Sequence, residues 1–266
     1  MPKSIAHRRH HYRLSDNIKS VRQNKLYELY DIIKKEFVKL INEHGLQSEQ
    51  VVIRATSLSP QQALGNPEDR DYPLVIGVER LMQAEFRGSL GQAFTDMYGD
   101  FSGRLSDIVE MDLTNNFRRA IFISSLNAVM KHLGLITKTI HCRNDQPKEC
   151  SYELVRYIEK NYGQPRVAMV GFQPRMVEAL AKRFELRVTD MDRDNIGTEK
   201  FGVKIYDPIK TEEHLNWCDI ALVTGSTIVN NTFDQFRISK PVIFYGVTIS
   251  GVAKLLGLNH FCYFGG

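Results

Sequence analysis

The apolar residues of the first third of the chain change from a helical to a strand-like pattern. Between residues 15 and 43 they recur at three- and four-residue spacing, and Gly45 follows as a cap, which predicts a helix. Short apolar segments separated by turn residues come next, and strands in such succession predict an antiparallel sheet. We assign them to residues 51–53, 73–78 and 81–86, with residues 88–95 turning into a fourth strand.

Two helices are predicted after these strands, at residues 106–110 and 115–132. Within the second helix, Ser124, Ser125 and Asn127 lie among apolar residues. They are either core groups with satisfied hydrogen bonds or groups that reach a cleft, and both interpretations stay open. Gly134 stops this helix, so we expect a first α+β domain to end near residue 140.

From residue 166 onwards, short apolar strands alternate with helical segments. This alternation predicts an α/β domain with a parallel, doubly wound sheet, whose ligands lie beyond the carboxyl ends of the strands. The predicted strands are residues 167–170, 186–190, 203–206, 219–223 and 241–245, and the predicted helices are residues 174–184, 211–217, 227–236 and 250–256.

A polar turn, Thr224-Gly225-Ser226-Thr227, follows the buried strand at residues 219–223. Small hydroxyl residues cap helices, and a helix N-terminus directs free N–H groups and the positive end of its dipole at one place. The turn is therefore predicted to bind an anion such as a phosphate, a carboxylate or a metal-bound oxyanion. The alternative is that these residues only cap the helix that follows.

Two other strand ends carry residues of a nucleotide-binding kind. Asp190 follows Gly171 at the spacing at which the acidic residue of a dinucleotide fold meets a ribose hydroxyl. Gly171 stands alone, however, where the fingerprint needs three glycines, and Phe172 and Pro174 would crowd a pyrophosphate. A nucleoside or S-adenosyl ligand remains compatible, and so does a role for Asp190 and the aspartates after it in a turn.

Charge is concentrated in an N-terminal arm of about 20 residues. The chain carries a net charge of +4, yet seven lysines and arginines against one aspartate precede residue 26, so the rest is slightly acidic. No basic, aromatic-rich patch recurs later, and we do not expect a nucleic-acid partner. No apolar stretch is long enough for a membrane span, and four scattered cysteines without a secretory signal favour a reduced, cytoplasmic protein.

The segment between the two predicted domains contains candidate metal ligands. His141, Cys142 and Cys150 supply imidazole and thiolate groups, which bind transition metals. The two cysteines are eight residues apart, which is not the close pairing of a structural zinc site. An equally good interpretation is that Cys150 simply belongs to the start of the next helix.

Five segments resemble motifs of a known family. Val170-Gly171-Phe172-Gln173-Pro174, Asp192-Arg193-Asp194-Asn195-Ile196-Gly197 and the run from Thr224 to Thr232 are similar to motifs of the putative heavy-metal chelation family, and residues 91–95 and 125–128 resemble motifs of its N-terminal half. The resemblance implies an α+β, enolase N-terminal-like domain at residues 21–140, a Rossmann-like α/β domain with a mostly parallel sheet at residues 141–266, and a cleft between them. Residues 1–20, the basic arm, lie outside it.

We therefore expect a protein whose cleft binds a heavy metal, a metal complex or an anionic small ligand in cofactor handling. The alternative is a transferase that uses a nucleotide-like or S-adenosyl ligand, so an enzymatic role and the cofactor, including a divalent transition metal, stay open, as does a homodimer. The expected ligand-binding residues are Gly171, Phe172, Pro174, Asp190, Asp192, Asn195, Thr224, Gly225, Ser226, Thr227, Asn230 and Thr232, and the expected metal ligands are His141, Cys142 and Cys150.

Overall fold

The computed structural model describes residues 29–54, 65 and 80–265. The basic arm, the start of the first predicted helix and the strand predicted at residues 73–78 lie outside the described residues. Helix α1 is described over residues 29–43, and it buries Leu29, Ile33, Phe37 and Ile41, which recur every four residues on one face. Gly45 follows with a positive φ of 63°, as expected of a glycine cap.

A four-stranded antiparallel sheet follows, as the sequence predicts. Its strands are β1 (Gln50–Arg54), β2 (Arg80–Phe86), β3 (Ser89–Thr95) and β4 (Phe101–Arg104), in the order β3-β2-β1-β4. A fourth strand was predicted after the segment at residues 88–95, but without its position, because the four residues of β4, Phe-Ser-Gly-Arg, contain one apolar side chain and no alternating pattern. The segment predicted as a turn at residues 88–95 is mostly strand β3.

Helix α2 (Leu105–Glu110) leads to α3 (Asn116–His132), which is the central helix of the molecule. Every α3 residue from 119 to 130 is buried, as is typical of a helix enclosed on all sides. Its serines are satisfied core groups, since Ser124 and Ser125 both donate hydrogen bonds to the carbonyl oxygen of Ile121, at 3.2 and 2.7 Å. The core interpretation of these polar residues is therefore the correct one.

The remainder forms a seven-stranded, mostly parallel sheet with helices. The strand order is β11-β10-β9-β5-β6-β8-β7, and only β7 pairs antiparallel, with β8. None of the described helices is both long and apolar enough to cross a membrane. The elements are α4 (Gln146–Tyr162), β5 (Val167–Val170), α5 (Pro174–Ala181), β6 (Leu186–Thr189), β7 (Glu199–Lys200), β8 (Val203–Tyr206), α6 (Thr211–Trp217), β9 (Ile220–Thr224), β10 (Val242–Tyr245), α7 (Ser250–Leu256) and β11 (His260–Phe261).

The helix predicted at residues 227–236 is wrong. Two short 3-10 turns, Gly225–Thr227 and Phe233–Phe236, take its place, and Asn231 between them has a positive φ of 63°. Hydroxyl and amide side chains compete with helical hydrogen bonding, and the Thr227 hydroxyl donates instead to the carbonyl oxygen of Thr224 at 2.8 Å.

The two sheets share one hydrophobic core. A large buried cluster joins α1, α3 and the four-stranded sheet to one face of the seven-stranded sheet, so that Phe37, Phe122 and Val223 belong to the same cluster. A second cluster lies on the other face, where α4 and α5 pack against it. Helix α3 is thus fixed between the sheets, and the surfaces next to it are held in a constant arrangement.

Candidate functional site

A cavity of about 380 Å³ lies beyond the carboxyl ends of strands β5, β6, β9 and β10. Its opposite wall comes from the first part of the chain, where Phe94, Asp96 and Asn116 stand at the end of β3 and the start of α3. This is the edge of a parallel sheet at which ligands bind in open α/β folds. The cavity is also large enough for a small organic molecule.

The residues predicted from the sequence surround this cavity, with one exception. Pro174 does not line it, because Pro174 is the buried first residue of α5. The predicted residues that do line it are His141, Cys142, Cys150, Gly171, Phe172, Asp190, Asp192, Asn195, Thr224, Gly225, Ser226, Thr227, Asn230 and Thr232.

The polar turn after β9 is bonded largely to itself. The Thr224 hydroxyl lies 3.1 Å from that of Ser226 and accepts a weak bond from the Ser226 amide at 3.4 Å. Thr224 caps only the single 3-10 turn Gly225–Thr227, so the long helix that both the anion-cradle and the capping interpretations assumed is not there. Gly225 is required for packing, because a Cβ at this position would lie 2.9 Å from the backbone nitrogen of Ile249.

Gly171 and Asp190 hold neighbouring strand ends together. Gly171 has a φ of 91°, and a Cβ there would lie 2.7 Å from Thr224 Cγ2. One carboxylate oxygen of Asp190 accepts the Phe172 amide, and the other accepts the Asp192 amide at 2.7 Å. Burial raises the pKa of the Asp190 carboxyl above its ordinary value. Asp192 in turn accepts the Asp194 amide at 3.0 Å. Both aspartates therefore stabilise turns, through bonds to the backbone amide two residues later.

Three neighbouring thiols and an imidazole form a part of the cavity lining that we call the thiol end. Cys142, Cys150 and Cys262 all line the cavity together with His141. Cys262 was not predicted as a site residue, because the two-residue strand β11 that carries it to this sheet edge has no recognisable pattern. Recognising that strand would have placed Cys262 beside Tyr245 and the other strand ends.

Burial keeps this end uncharged. Burial, and then the nearby thiols of Cys150 and Cys262, raise the pKa of Cys142, and burial and Cys150 raise the pKa of Cys262 to about 12. Burial also raises the pKa of Cys150. Burial lowers the pKa of His141 to about 4, and its Nδ1 is buried without a hydrogen-bond partner in the described part of the chain. The His141 ring packs edge-on against Phe94, with 5.4 Å between centroids.

The chemistry of these groups suits a soft metal ion, but they are not arranged as a ready coordination site. Thiolate sulfur and imidazole nitrogen are the donors that soft and borderline ions prefer. Over residues 29–54, 65 and 80–265, no three His, Cys, Asp or Glu side chains are grouped closely enough to hold an ion. An ion bound here would need further donors or a rearrangement of the thiols.

A hydrogen-bonded bridge connects the cavity wall on α3 to the turn after β9. Asn116 donates to Asp96 at 2.6 Å and to Asn230 at 3.4 Å, and Arg119 donates to Asn116 and to the Val229 carbonyl oxygen. Asp96 and Asn116 were not predicted, since one lies after an ordinary strand and the other at a helix start. No sequence motif distinguishes either of them from a surface residue.

Comparison with known families supports the resemblance found in the sequence. Residues 155–257 match the model of the family DUF364, described as putative heavy-metal chelation. The predicted resemblance is confirmed. The matched residues contain α5, β9 and the turn at Thr224, which is the part of the cavity that the seven-stranded sheet provides. No curated protein matches the chain.

The chain is similar in fold to a solved structure of a DUF364 protein. The crystal structure of a protein of unknown function from the DUF364 family of Desulfitobacterium hafniense is 14% identical, with a TM-score of 0.50 over 88% of this chain and 85% of its own. A DUF364 protein of unknown function from Pyrococcus horikoshii is 18% identical, with a TM-score of 0.49 over 83% of this chain and 79% of its own. At 14% identity, the likeness to the Desulfitobacterium hafniense structure shows the fold alone.

Proposed function

We propose that the cavity binds a small organic molecule that carries a soft metal ion, and that the thiol end supplies metal ligands. The single observation behind this proposal is that His141, Cys142, Cys150 and Cys262 line one end of a cavity of about 380 Å³. The description of the matching family as putative heavy-metal chelation agrees with a metal-bearing ligand, and the matched residues, 155–257, supply other walls of the cavity than these four side chains.

The size of the cavity and the spacing of its ligands favour a metal complex over a bare ion. A bare ion needs a compact set of donors, and the described residues contain no such set of three. A metal that arrives already chelated needs only one or two donors from the protein, and the remaining volume holds the chelating molecule. The unpartnered Nδ1 of His141 is one donor, and a deprotonated thiol is another.

The finer architecture belongs to the same proposal. We propose that residues 21–140 form an enolase N-terminal-like domain and residues 141–266 a Rossmann-like domain, with the ligand between them. The ligand-binding residues of this proposal are those of the cavity walls, while the transferase alternative would use the same cavity for an S-adenosyl ligand. Handling of a metal-bearing cofactor needs no covalent step on this chain.

Titration with Cd²⁺ tests the thiol end, with water completing the coordination in place of the chelating molecule, because thiolate-to-cadmium charge transfer gives an ultraviolet absorption band. The double variant Cys142→Ser with Cys150→Ser should weaken Cd²⁺ binding by at least about hundredfold, since even outer-shell partners of a metal cost 10–100-fold. Adding Cys262→Ser should abolish the band.

Cys218→Ser is the matched control. Cys218 is also buried, but its thiol donates to the carbonyl oxygen of Leu215 and does not line the cavity. This variant should bind Cd²⁺ as the wild type does. Unchanged affinity and stoichiometry in the triple cavity variant would remove the thiols from the proposal.

A further inference from the structure

We infer that the cavity selects a ring-containing organic ligand that is uncharged or cationic, and that it discriminates against phosphorylated ligands. This inference deepens the proposed function and depends on its claim that the cavity is the ligand site. It also replaces the expectation of an anion at the turn after β9.

The charged side chains around the cavity all carry the same sign. Asp96, Asp190 and Asp192 line it, and among the described residues neither a lysine nor an arginine does. Phosphate sites are ordinarily built with arginine or lysine, because the charge must be compensated once water is excluded. A ligand phosphate in this cavity would instead approach carboxylates.

Several arginines adjoin the lining residues in the sequence or are hydrogen-bonded to them. They bind other partners or are exposed to solvent. Arg119 donates to the carbonyl oxygens of Val229 and Leu113, at 2.6 and 2.8 Å. Arg175 pairs with Glu178 at 2.9 Å and lies over the ring of Phe201. Arg237, which follows the lining residue Phe236, pairs with Asp234 at 3.1 Å. Arg143 and Arg193 are exposed and are not part of the lining.

Several amides at the backbone position that binds phosphate in a dinucleotide fold are also bonded to the protein itself. That position is the turn from β5 into α5, where free amides meet the ligand. Here the Phe172 amide donates to Asp190, the Met176 amide donates to Gln173 at 2.6 Å, and Pro174 has no N–H. The amide of Ser226 in the turn after β9 is likewise taken, by Thr224.

The walls are suited to a flat ring with hydrogen-bonding edges. Phe94, Phe172 and Tyr245 present aromatic surface, and Asn195, Asn230 and Gln235 present amides that both donate and accept. Aromatic walls with a few polar groups are the usual lining of sites for heterocyclic ligands. His141 adds a buried Nδ1 without a partner among the described residues.

Matched pairs of ligands that differ only in charge test this inference. We would titrate the four common ribonucleosides, their 5′-monophosphates and triphosphates, and S-adenosylmethionine into the full-length protein by calorimetry, with a chelator present to remove metals. At least one nucleoside or S-adenosylmethionine should bind, and each added phosphate group should weaken binding by about tenfold. Equal or tighter binding of a phosphorylated compound overturns the inference, and so does an absence of binding by every uncharged and cationic compound.

Asp190→Asn tests the cause of the discrimination, because it removes the charge and keeps one of the two oxygen acceptors that the Phe172 and Asp192 amides use. The penalty is the ratio of the Kd of the monophosphate to the Kd of its nucleoside. In this variant the ratio should fall by about fivefold or more. Asp194→Asn is the control, since Asp194 is exposed and lies outside the lining, and its penalty should not change. An unchanged penalty in a folded Asp190→Asn variant would overturn the assignment.

If thermal melting shows that Asp190→Asn is unfolded, Asp96→Asn makes the same test at another lining carboxylate, which accepts only from Asn116 among the described residues.

These outcomes are separate from those that test the metal proposal. Tight nucleotide binding with thiol-dependent Cd²⁺ binding would overturn the charge selectivity alone. Loss of thiol dependence with intact selectivity would overturn the metal proposal alone.

Discussion

At the scale of the residue, His141 is the most informative side chain of the cavity. Its backbone amide donates to Gln92 at 2.6 Å and its ring packs on Phe94, yet its Nδ1 has no partner among the described residues. A buried donor or acceptor without a partner costs free energy, so such a group marks a place where a ligand would restore a bond.

The titration of His141 leads to a prediction about the ligand-free protein. Burial lowers its pKa to about 4, while the unfolded chain keeps the ordinary value of 6.5. The unfolded state therefore binds the proton first, and the stability that the neutral imidazole confers is complete above pH 6.5 and is lost as the pH falls towards 4. His141→Phe should reduce this acid-induced loss of unfolding free energy by about 2–3 kcal/mol.

Urea denaturation of wild type and variant at pH 7 and pH 4 measures this difference. His44→Gln, at the exposed end of α1, provides the control and should leave the pH dependence as it is in the wild type. An equal loss of stability in wild type and His141→Phe would show that the imidazole is not held in its neutral form.

At the scale of the element, helix α3 connects the two sheets through Asn127. This fully buried side chain donates to the carbonyl oxygens of Gln92, Val247 and Thr248, at 3.0 to 3.2 Å, and accepts the Gly251 amide at 2.8 Å. Val247 and Thr248 line the cavity, so one amide group fixes a cavity wall to the four-stranded sheet.

Replacement of Asn127 by Leu should therefore be severely destabilising. It leaves three carbonyl oxygens and one amide with a lost partner at a fully buried position, which we expect to cost about 3–5 kcal/mol. Ser125→Ala, two residues earlier on the same helix, removes only a bond to the helix backbone and should cost about 1 kcal/mol or less. Similar denaturation midpoints for the two variants would contradict the bridging role.

The same scale shows which elements a sequence can predict. Helix α3 was predicted from a long helical segment and the strands β5, β9 and β10 from short apolar runs. All four elements lie close to their predicted positions. The prediction of a helix at residues 227–236 was wrong, because side-chain hydrogen bonds of threonine and asparagine replaced the helical ones. Two-residue strands such as β11 are set by their neighbours in the sheet, and periodicity does not detect them.

At the scale of the whole molecule, the cavity exists because two parts of the chain close around one sheet edge. A parallel sheet binds ligands beyond the carboxyl ends of its strands. Most of the predicted site residues were chosen at those strand ends, and they line the same cavity. Asp96, Asn116 and Cys262 reach the lining only through tertiary packing and pairing across the chain, which leave no local pattern. The boundary at residue 140 stays a prediction, and one core cluster extends across it.

A metal held at the thiol end of the cavity must lie beside the sulfur atoms of that end. Anomalous scattering from crystals of the full chain soaked in Cd²⁺ locates the ion. We expect the strongest cadmium peak within coordination distance of the sulfur atoms of Cys142, Cys150 or Cys262, inside the cavity. Strong peaks confined to other places, such as the histidine-rich N-terminal arm, with none in the cavity, would contradict it.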